Sequence, residues 1–431
     1  MKMKEFLTRK FVLDSRNVKP GDIFVAVKGK KTDGHKFIQE AFENGAYAAV
    51  VEKPVKYSGN IYLVEKVVDF LADLAREKIK PLEKKTIIGI TGSNGKTTAK
   101  EILYQLLSFT TSNVFKTPGN MNTEYGLPLS LINEYKGESI LILEMAMNKK
   151  GDIKHLCSIA PPDIAVILNV GTAHIGLLGS KKDIMEAKLE IVLYSKENSN
   201  VVCFFDDEEL RKQVKEHRKN VLFFGKKGGD VVLEDWWYID SKTACVINHF
   251  GENIAFKLNG IWNEGQLLAL LASISVLKVL NKEFPVDALP ELKLPENRFH
   301  VTKTKGLYII NDTYNASLES FDVALKTMLK MKRGKKYAVV GSIKEQGKFS
   351  EETHKLLGKK LELLDGVFLY TVDDEVNQVK CSKVLIKSDN PETLAKELFS
   401  RVSEGDVILF KASRSVGIEK VLKEFMELLN K

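Results

Sequence analysis

The stretch that decides the fold is GITGSNGKTT, from Gly89 to Thr98. It follows the apolar run TIIGI at residues 86–90, and it precedes AKEILYQLLS at residues 99–108, where apolar residues recur at helical spacing. A strand, a glycine-containing loop and a helix in this order are the context of a phosphate-binding loop. The common pattern G-x-x-x-x-G-K-[ST] has a glycine where Ile90 stands, so this loop is a variant of that motif.

The loop residues have the chemistry that phosphate binding needs. Glycines let the backbone come close to phosphate oxygens, and successive N–H groups with a helix N-terminus form a positive cradle. A lysine reaches the β- and γ-phosphates, and a neighbouring hydroxyl can bind Mg²⁺. The predicted nucleotide contacts are Gly92, Ser93, Asn94, Gly95, Lys96, Thr97 and Thr98.

Length and composition indicate a multidomain globular protein. The chain has 431 residues, of which 44% are hydrophobic and 28% charged, and this length predicts two or three domains. No unbroken apolar run reaches about eighteen residues, the minimum for a membrane span. The N-terminus lacks the apolar core of a signal peptide, and the four cysteines are scattered without a C-x-x-C pair. We therefore expect a cytoplasmic protein with reduced thiols.

The charge distribution argues against a nucleic-acid-binding protein. The net charge is +8, from 65 basic and 57 acidic residues, and the lysines are spread along the whole chain. Nucleic-acid-binding proteins usually concentrate their basic residues on one face or arm. A diffuse positive field suits small anions such as nucleotides equally well.

Three regions differ in their pattern of strands and helices. Residues 1–82 contain short strands, turns and a helix that ends at Lys80 before a proline, where a helix should stop. Residues 83–297 and 298–431 alternate apolar strands with helices, which predicts two domains built on parallel sheets, the second doubly wound and Rossmann-like. Residues 200–260 indicate a meander of antiparallel strands, including NVLFFG, attached to the central domain. LPENRFHV, ahead of the last region, has the character of a connector.

Two polar residues stand at the ends of predicted central strands. SILILE ends at Glu144, and DIAVILNVGTAH leads to His174. The C-terminal ends of parallel strands open onto one crevice, so both should lie near Lys96 and Thr97. A carboxylate and an imidazole beside a triphosphate are plausible ligands for a metal or for its water. Taken singly, each could instead be a capping carboxylate or a hydrogen-bonded structural histidine.

These motifs together resemble the Mur ligase family, the ATP-dependent amide ligases of cell-wall precursor synthesis. The resemblance is carried by TGSNGKTT, Glu144, NVGTAHIGLLGS and MEAKLEI, and the family loop T-G-[TS]-x-G-K-T accounts for Ile90. The N-terminal DSRNVKPGDIFVAVKGKKTDGHKFIQEAFENGA is similar to the uridine-nucleotide-binding domain of some members. The resemblance implies a small N-terminal α/β domain for the uridine substrate, a central ATPase domain and a C-terminal domain that closes on ATP.

The resemblance also implies roles for individual residues. Lys96 contacts the phosphates that accumulate charge, Thr97 and Glu144 hold one Mg²⁺, and His174 helps to hold a second. Lys188, an ordinary helix-surface lysine by sequence alone, corresponds to a family lysine that CO₂ carbamylates into an anionic group near the metal. The remaining implied contacts are Asn263 with adenine, Arg298 with the phosphates, Asp312 with ribose, Tyr314 and Asn315 in the same motif, Ser15 and Arg16 with the uridine nucleotide, and Asn120, Asn122 and Thr123 with the muramoyl substrate.

Other stretches indicate which substrates are joined. TPGNMNTEYGLPLS, ILEMAMNKKGDI, NDTYNASLES and KASRSVGIEK are similar to the family member that adds D-alanyl-D-alanine to UDP-N-acetylmuramoyl-tripeptide. The D-N-P-R of the tripeptide-forming relative is missing, since SDNPET has Glu392 in place of the arginine. The sequence departs from the family in GIWNEGQ, where Trp262 replaces a usual histidine and Gln266 an asparagine, and Thr123 also replaces an asparagine. Family precedent implies a monomer.

Three alternatives remain open on the sequence. The first is another P-loop enzyme, a GTPase, kinase or motor ATPase. A GTPase would carry N-K-x-D, but NKKGD has Gly151 where the aspartate is needed, and no helicase-like D-E-x-[DH] box occurs. A non-catalytic nucleotide-dependent binding protein, possibly for nucleic acid, is disfavoured by the scattered charge. Within the family, a ligase that adds a single amino acid, or a folate or cyanophycin relative, is disfavoured by the N-terminal domain and by NDTYNAS.

Overall fold

The computed structural model describes residues 3–29, 32–80 and 85–431. Within these residues the strands form three sheets of four, nine and six strands. The prediction of a three-domain α/β protein is confirmed. The predicted boundary between residues 82 and 83 lies outside the described residues.

The N-terminal domain is a small parallel sheet with helices packed on it. Its sheet has the order β1-β2-β3-β4, with every neighbouring pair parallel. The third helix buries Val67, Leu71, Leu74 and Ile79 along one face, which is the spacing of an amphipathic helix. The elements are α1 Met3–Phe6, β1 Phe11–Val12, β2 Ile23–Val25, α2 Ile38–Glu43, β3 Ala48–Val51, β4 Ile61–Leu63 and α3 Val67–Ile79.

The central domain begins at the strand that precedes the phosphate loop. Its elements are β5 Thr86–Thr91, α4 Lys96–Ser108, β6 Val114–Lys116, α5 Gly126–Glu134, β7 Ile140–Glu144, α6 Asp152–Ile159, β8 Ile164–Ile167, α7 Ile175–Leu178, α8 Lys181–Leu193, β9 Asn200–Phe204, α9 Glu208–His217, β10 Val221–Gly225, β11 Val231–Ile239, β12 Lys242–His249, β13 Glu252–Asn259 and α10 Glu264–Val279. The sheet order is β13-β12-β11-β10-β9-β8-β5-β7-β6. Strand β5 therefore lies between β7 and β8. The phosphate loop, Glu144 and the segment after β8 consequently lie together at the carboxyl ends of these three parallel strands.

Strand β5 is buried on both faces, as its continuous apolar run predicts. Ile87 packs into the core formed with α5, α6 and α8. Ile88 and Ile90 point the other way, into the core formed with α4 and α10. Successive side chains of a strand alternate between its faces, so helices on both sides fix the strand that holds the loop. Ile90 does not end the strand, which continues to Thr91.

The predicted meander is only partly correct. Strands β11, β12 and β13 are antiparallel, but β10, the NVLFFG stretch, pairs parallel with both β9 and β11. Helix α9 connects β9 to β10 and provides the crossover that parallel neighbours require. The antiparallel part therefore begins one strand later than predicted.

The C-terminal domain is a doubly wound sheet with an antiparallel edge strand. Its order is β14-β15-β19-β16-β17-β18, and only the β14–β15 pair is antiparallel among the described strands. The elements are β14 His300–Thr304, β15 Leu307–Asp312, α11 Leu318–Lys330, β16 Lys336–Val340, α12 Ser350–Leu361, β17 Gly366–Tyr370, β18 Val384–Ser388, α13 Pro391–Phe399, β19 Val407–Lys411 and α14 Glu419–Asn430.

Part of the predicted connector belongs to this sheet. His300 and Val301, the end of LPENRFHV, begin β14. The two-residue turn from β14 to β15 has positive φ at both Lys305 (46°) and Gly306 (78°). A two-residue hairpin turn of this type needs positive φ at both central residues. Lysine is not among the residues that predict such a turn from sequence.

The N-terminal domain is fixed to the central domain by both apolar and polar contacts. The core of its sheet is continuous with the α5, α6 and α8 side of the central sheet. The Asn133 side chain on α5 exchanges two hydrogen bonds of 2.9 Å with the backbone of Phe11. No helix within the described residues has the length and apolar character needed to cross a membrane.

Candidate active site

The phosphate loop (residues 92–98) is held in shape by the segment that follows β8. The Asn169 side chain accepts a hydrogen bond from Asn94 N at 2.9 Å and donates to Asn94 O at 3.0 Å. Ser93 Oγ accepts from Gly171 N at 2.9 Å. Gly95 caps α4 with a φ of 84°, a conformation that favours glycine. The helix N-terminus and the loop amides therefore have a fixed arrangement.

Lys96 begins α4 and lies against its own loop. Its Nζ donates to Gly92 O at 2.7 Å. Burial lowers the pKa of Lys96, Glu144 opposes this shift, and Arg298 adds to it. A nearby opposite charge favours the protonated form of a lysine, so this side chain is suited to an anionic ligand.

Glu144 is the centre of a buried network at the end of β7. Its side chain is only 2% exposed. Thr97 Oγ1 donates to Glu144 Oε2 at 2.8 Å, and Asn122 Nδ2 donates to Oε1 at 2.6 Å. From the C-terminal side, Arg298 Nη2 donates to Thr97 Oγ1 at 2.8 Å. The structure thus brings together four of the residues that the sequence selected.

Lys188 is buried, although its sequence position alone suggested a lysine on the surface of the helix. It lies on α8 with an exposure of 2%, and none of the described residues gives its ammonium an ion pair or hydrogen bond. Burial lowers the pKa of Lys188 well below the ordinary value, and the charge of Lys96 lowers it further. A neutral amine is therefore accessible at this position at lower pH than for a surface lysine, and a neutral amine is the form that reacts with CO₂.

His174 faces the C-terminal domain. Its Nδ1 lies 2.6 Å from Glu345 Oε2, within ion-pair distance but without the alignment of a hydrogen bond. Both residues have positive φ, 67° for His174 and 64° for Glu345. The predicted metal ligands are therefore assembled only in part: Thr97 and Glu144 meet, whereas the closest ionic contact of His174 is Glu345.

The C-terminal domain packs directly on the phosphate loop. Ser317 Oγ donates to Asn94 Oδ1 at 3.3 Å, and Thr172 N donates to Glu319 Oε1 at 2.7 Å. Glu319 is near the start of α11, which lies in the C-terminal domain. These contacts join the C-terminal domain to the phosphate loop and to the segment after β8.

Three other predicted residues of the C-terminal domain form a compact group. The guanidinium of Arg298 lies 3.7 Å from the ring centroid of Tyr314. Lys411 Nζ donates to Asp312 Oδ2 at 2.6 Å and to Asn315 O at 3.0 Å. Lys411 was not selected from the sequence; it is 1% exposed and fixes the carboxylate that was predicted to contact ribose.

Two of the residues that depart from the family pattern, Gln266 and Trp262, have structural roles here. Asn263 caps α10 in a reciprocal capping box with Gln266, which satisfies two otherwise unpaired backbone donors. Gln266 Nε2 also donates to Arg298 O at 2.9 Å and so links the helix to the connector. Trp262 is fully buried, and its Nε1 donates to Asn259 O at 2.9 Å. Trp262 is therefore part of the core behind the site.

A single cavity of about 470 Å³ joins most of the predicted residues. Those that line it are Ser93, Asn94, Gly95, Lys96, Thr97, Thr98, Asn120, Asn122, Thr123, Glu144, His174, Asn263, Arg298, Asp312, Tyr314 and Asn315. Gly92, Lys188, Ser15 and Arg16 are not among the lining residues. A second cavity of about 470 Å³ lies beside β12 and β13, away from the loop, and includes Lys242 and Lys257.

Ser15 and Arg16 lie in a 3₁₀ turn of the N-terminal domain. Ser15 Oγ donates to Glu40 Oε2 at 2.5 Å, and Arg16 pairs with Asp14 at 2.7 Å while its side chain stays 78% exposed. The structure does not bring these two residues to the phosphate loop. Their assignment to a uridine nucleotide stays a prediction.

Comparison with known proteins gives the class of the chain. The models for the Mur ligase family catalytic domain, the Mur ligase middle domain and the Mur ligase glutamate ligase domain match residues 11–79, 90–271 and 297–414. The chain belongs to the Mur ligase family of ATP-dependent ligases.

Two relatives within that family carry the same name. The chain is 32% identical to UDP-N-acetylmuramoyl-tripeptide–D-alanyl-D-alanine ligase of Bacillus subtilis, over 96% of this chain and 92% of the relative. It is also 32% identical to the ligase of the same name from Synechocystis, over 96% and 91% of the two chains. Among solved structures, the MurF ligase of Thermotoga maritima in complex with ADP is 53% identical, with a TM-score of 0.93 and coverage of 100% and 99%.

Proposed function

We propose that this chain uses ATP to join D-alanyl-D-alanine to UDP-N-acetylmuramoyl-tripeptide, which gives the UDP-muramoyl-pentapeptide of peptidoglycan synthesis. The observation that carries the proposal is the hydrogen-bonded series Glu144–Thr97–Arg298 beside the phosphate loop. It joins a carboxylate, a hydroxyl and an arginine of the C-terminal side around one cavity. The shared name of the relatives and the ADP-bound similar structure support the same reaction.

The reaction has to make a peptide bond in water, and a carboxylate is a poor acyl donor. We propose that the terminal carboxylate of the tripeptide attacks the γ-phosphorus of ATP, and that the bond to ADP breaks. The amine of the dipeptide then attacks the carbonyl carbon of the acyl-phosphate and loses a proton. The tetrahedral intermediate expels phosphate, so one amide, one ADP and one phosphate are formed.

The first step brings two anionic groups together. Two unit charges about 4 Å apart repel by about 4 kcal/mol at an effective dielectric of 20. Lys96 and Arg298 are two of the cations that line the cavity, and we assign both to the phosphates of ATP. Fixed cations of this kind stabilise charge on a transferring phosphoryl group.

The donor set also fits magnesium. The Thr97 hydroxyl and the Glu144 carboxylate, with their oxygens 2.8 Å apart, are hard oxygen ligands of the type that Mg²⁺ prefers. We assign Thr97 and Glu144 to one Mg²⁺, and His174 with a carbamate on Lys188 to a second. Magnesium bound there would supply positive charge for the phosphate oxygens.

The carbamate on Lys188 gives a testable expectation. Lys188→Ala should lower the rate of ligation by about a hundredfold, the scale of losing one group that stabilises developing charge. Short carboxylic acids such as acetate should restore part of the rate, because they can occupy the place of the carbamate. Phosphate release with both substrates, with and without acetate, measures the effect.

The matched control is Lys182→Ala on the same helix. The Lys182 side chain is 80% exposed, so its removal should leave the rate and the acetate response unchanged. A Lys188→Ala enzyme with an ordinary rate would remove Lys188 from the site. A loss accompanied by a large fall in unfolding temperature, without rescue, would indicate a purely structural lysine.

The N-terminal domain supplies the uridine site in this proposal. We assign Ser15 and Arg16 to the uridine nucleotide and Asn120, Asn122 and Thr123 to the muramoyl group. The domains are then 1–82 for the uridine substrate, 83–297 for ATP and 298–431 for the dipeptide side and for closure on ATP. We propose that the chain acts as a monomer.

Product formation tests the proposed function. The purified chain is incubated with ATP, Mg²⁺ and UDP-N-acetylmuramoyl-tripeptide, together with D-alanyl-D-alanine, another D-dipeptide or a single amino acid. We expect phosphate release and a product mass that includes the dipeptide, with D-alanyl-D-alanine as the best acceptor. In a parallel reaction, UDP-N-acetylmuramoyl-dipeptide replaces the tripeptide; ligation of a single amino acid there, without ligation of the dipeptide to the tripeptide, would identify a single-residue ligase of the family.

A further inference from the structure

Lys100 is a completely buried lysine that has no part in the roles assigned above. It lies on α4, one helical turn beyond Lys96, with 0% exposure. Its Nζ donates to Thr117 O and to Gly119 O, both at 2.7 Å. It also lies 3.3 Å from Glu101 Oε1 and 3.8 Å from Glu144 Oε2. The ammonium therefore has two carbonyl and two carboxylate partners that can compensate its charge.

The two carbonyls belong to the loop of residues 117–123, which connects β6 with α5. The same loop carries Asn120, Asn122 and Thr123, which line the cavity. Its far end is also fixed, because Asn122 Nδ2 donates to Glu144 Oε1 at 2.6 Å and Asn122 O accepts from Ala146 N at 2.9 Å. The loop is thus held at both ends against β7 and α4.

Burying an ammonium group costs free energy because the charge loses its hydration. An apolar side chain of similar volume would avoid the desolvation of the charge. What an apolar side chain cannot do is hold two carbonyl oxygens of a loop at hydrogen-bonding distance. The contacts with Thr117 and Gly119 are therefore the specific contribution of Lys100.

We propose that Lys100 is a positioning residue for the muramoyl substrate. It fixes the loop of residues 117–123 relative to Glu144, and so sets where the substrate carboxylate lies with respect to the phosphate loop. The assignment rests on the proposed function, because that function makes this loop the muramoyl contact. Lys100 itself does not touch the reacting atoms.

The test compares the Michaelis constants of the two substrates in Lys100→Met. We expect the KM for UDP-N-acetylmuramoyl-tripeptide to rise by about tenfold or more, the scale of losing hydrogen bonds from a charged donor. The KM for ATP should change by less than about threefold, since the loop amides and Lys96 remain. Lys100→Arg keeps the charge and the donors and should recover part of the loss. If the methionine variant does not fold, Lys100→Gln takes its place in the same comparison.

Lys116→Met is the matched control. Lys116 pairs with Glu101 and lies 4.1 Å from the ring centroid of Tyr104, but its ammonium does not bond the 117–123 loop. Both Michaelis constants should stay unchanged in this variant. Equal changes of both constants in Lys100→Met, or no change in either, would overturn the inference while wild-type turnover upholds the function. Absence of turnover in the wild type would overturn the function and the inference together.

Discussion

Replacing Lys96 with alanine should reduce ADP release in the presence of both substrates by about a thousandfold, the upper range for losing one group that stabilises charge in a transition state. Lys96 is the first residue of α4, and its Nζ already lies within the loop, 2.7 Å from Gly92 O. Without it, one of the cations that we assign to offset the repulsion between the substrate carboxylate and the γ-phosphate is lost. A thousandfold loss corresponds to about 4 kcal/mol of activation free energy.

The fold should survive this change. Burial lowers the pKa of Lys96, which means that the folded state disfavours its charge, so removing the side chain takes away a destabilising ionisation. Thermal unfolding and binding of the uridine substrate should therefore stay close to those of the wild type. A Lys96→Ala enzyme with near-ordinary turnover would disprove the assignment of this loop to ATP.

Gly176→Ala should lower turnover by about a hundredfold, the scale of a misplacement of roughly 1 Å in a catalytic arrangement. A Cβ atom at Gly176 would lie 2.4 Å from Gly347 N and 2.5 Å from Glu345 O, and both are backbone atoms of the C-terminal domain. Gly176 N also donates to Glu345 O at 3.0 Å in the same contact. Backbone cannot move aside as a flexible side chain can, so the two domains could not approach each other as closely as they do in this structure.

Small-angle scattering and kinetics together measure this effect. In the presence of nucleotide and a substrate analogue, Gly176→Ala should remain more extended than the wild type. Leu177→Ala is the control on the same helix, because Leu177 is 49% exposed and its truncation should alter neither property. Wild-type compaction together with wild-type turnover in Gly176→Ala would show that this close contact is not required for catalysis.

The part of the site that the sequence predicted well is the part determined by strand order. The sequence predicts that Glu144 lies near Thr97 because the C-terminal ends of parallel strands open onto one crevice. In the structure β7 and β5 are parallel neighbours, and Thr97 Oγ1 lies 2.8 Å from Glu144 Oε2. The apolar run before the loop likewise indicated a strand buried on both faces. These features can be predicted because strand burial depends on residues that are close in sequence, and because parallel strands have their carboxyl ends at the same end of the sheet.

Residues whose importance depends on packing between distant segments could not be predicted in this way. Lys188 enters the predicted site only through the family resemblance, and Lys100 was not selected from the sequence. Only the folded structure shows that both lysines are buried. Glu345 meets His174 across a domain boundary, 171 residues apart by their numbering. Asn169 is the exception, since it directly follows the apolar run of β8 and could have been selected as a residue at a strand end.

The most direct test of the account follows the oxygen atoms of the substrate. UDP-N-acetylmuramoyl-tripeptide is prepared with ¹⁸O in its terminal carboxylate and incubated with the chain, ATP, Mg²⁺ and D-alanyl-D-alanine, and the released phosphate is analysed by mass spectrometry. If ATP activates that carboxylate as an acyl-phosphate, each phosphate carries one ¹⁸O atom from the substrate and forms together with the pentapeptide product. Unlabelled phosphate, or phosphate release that does not depend on the dipeptide and the uridine substrate, would contradict the account.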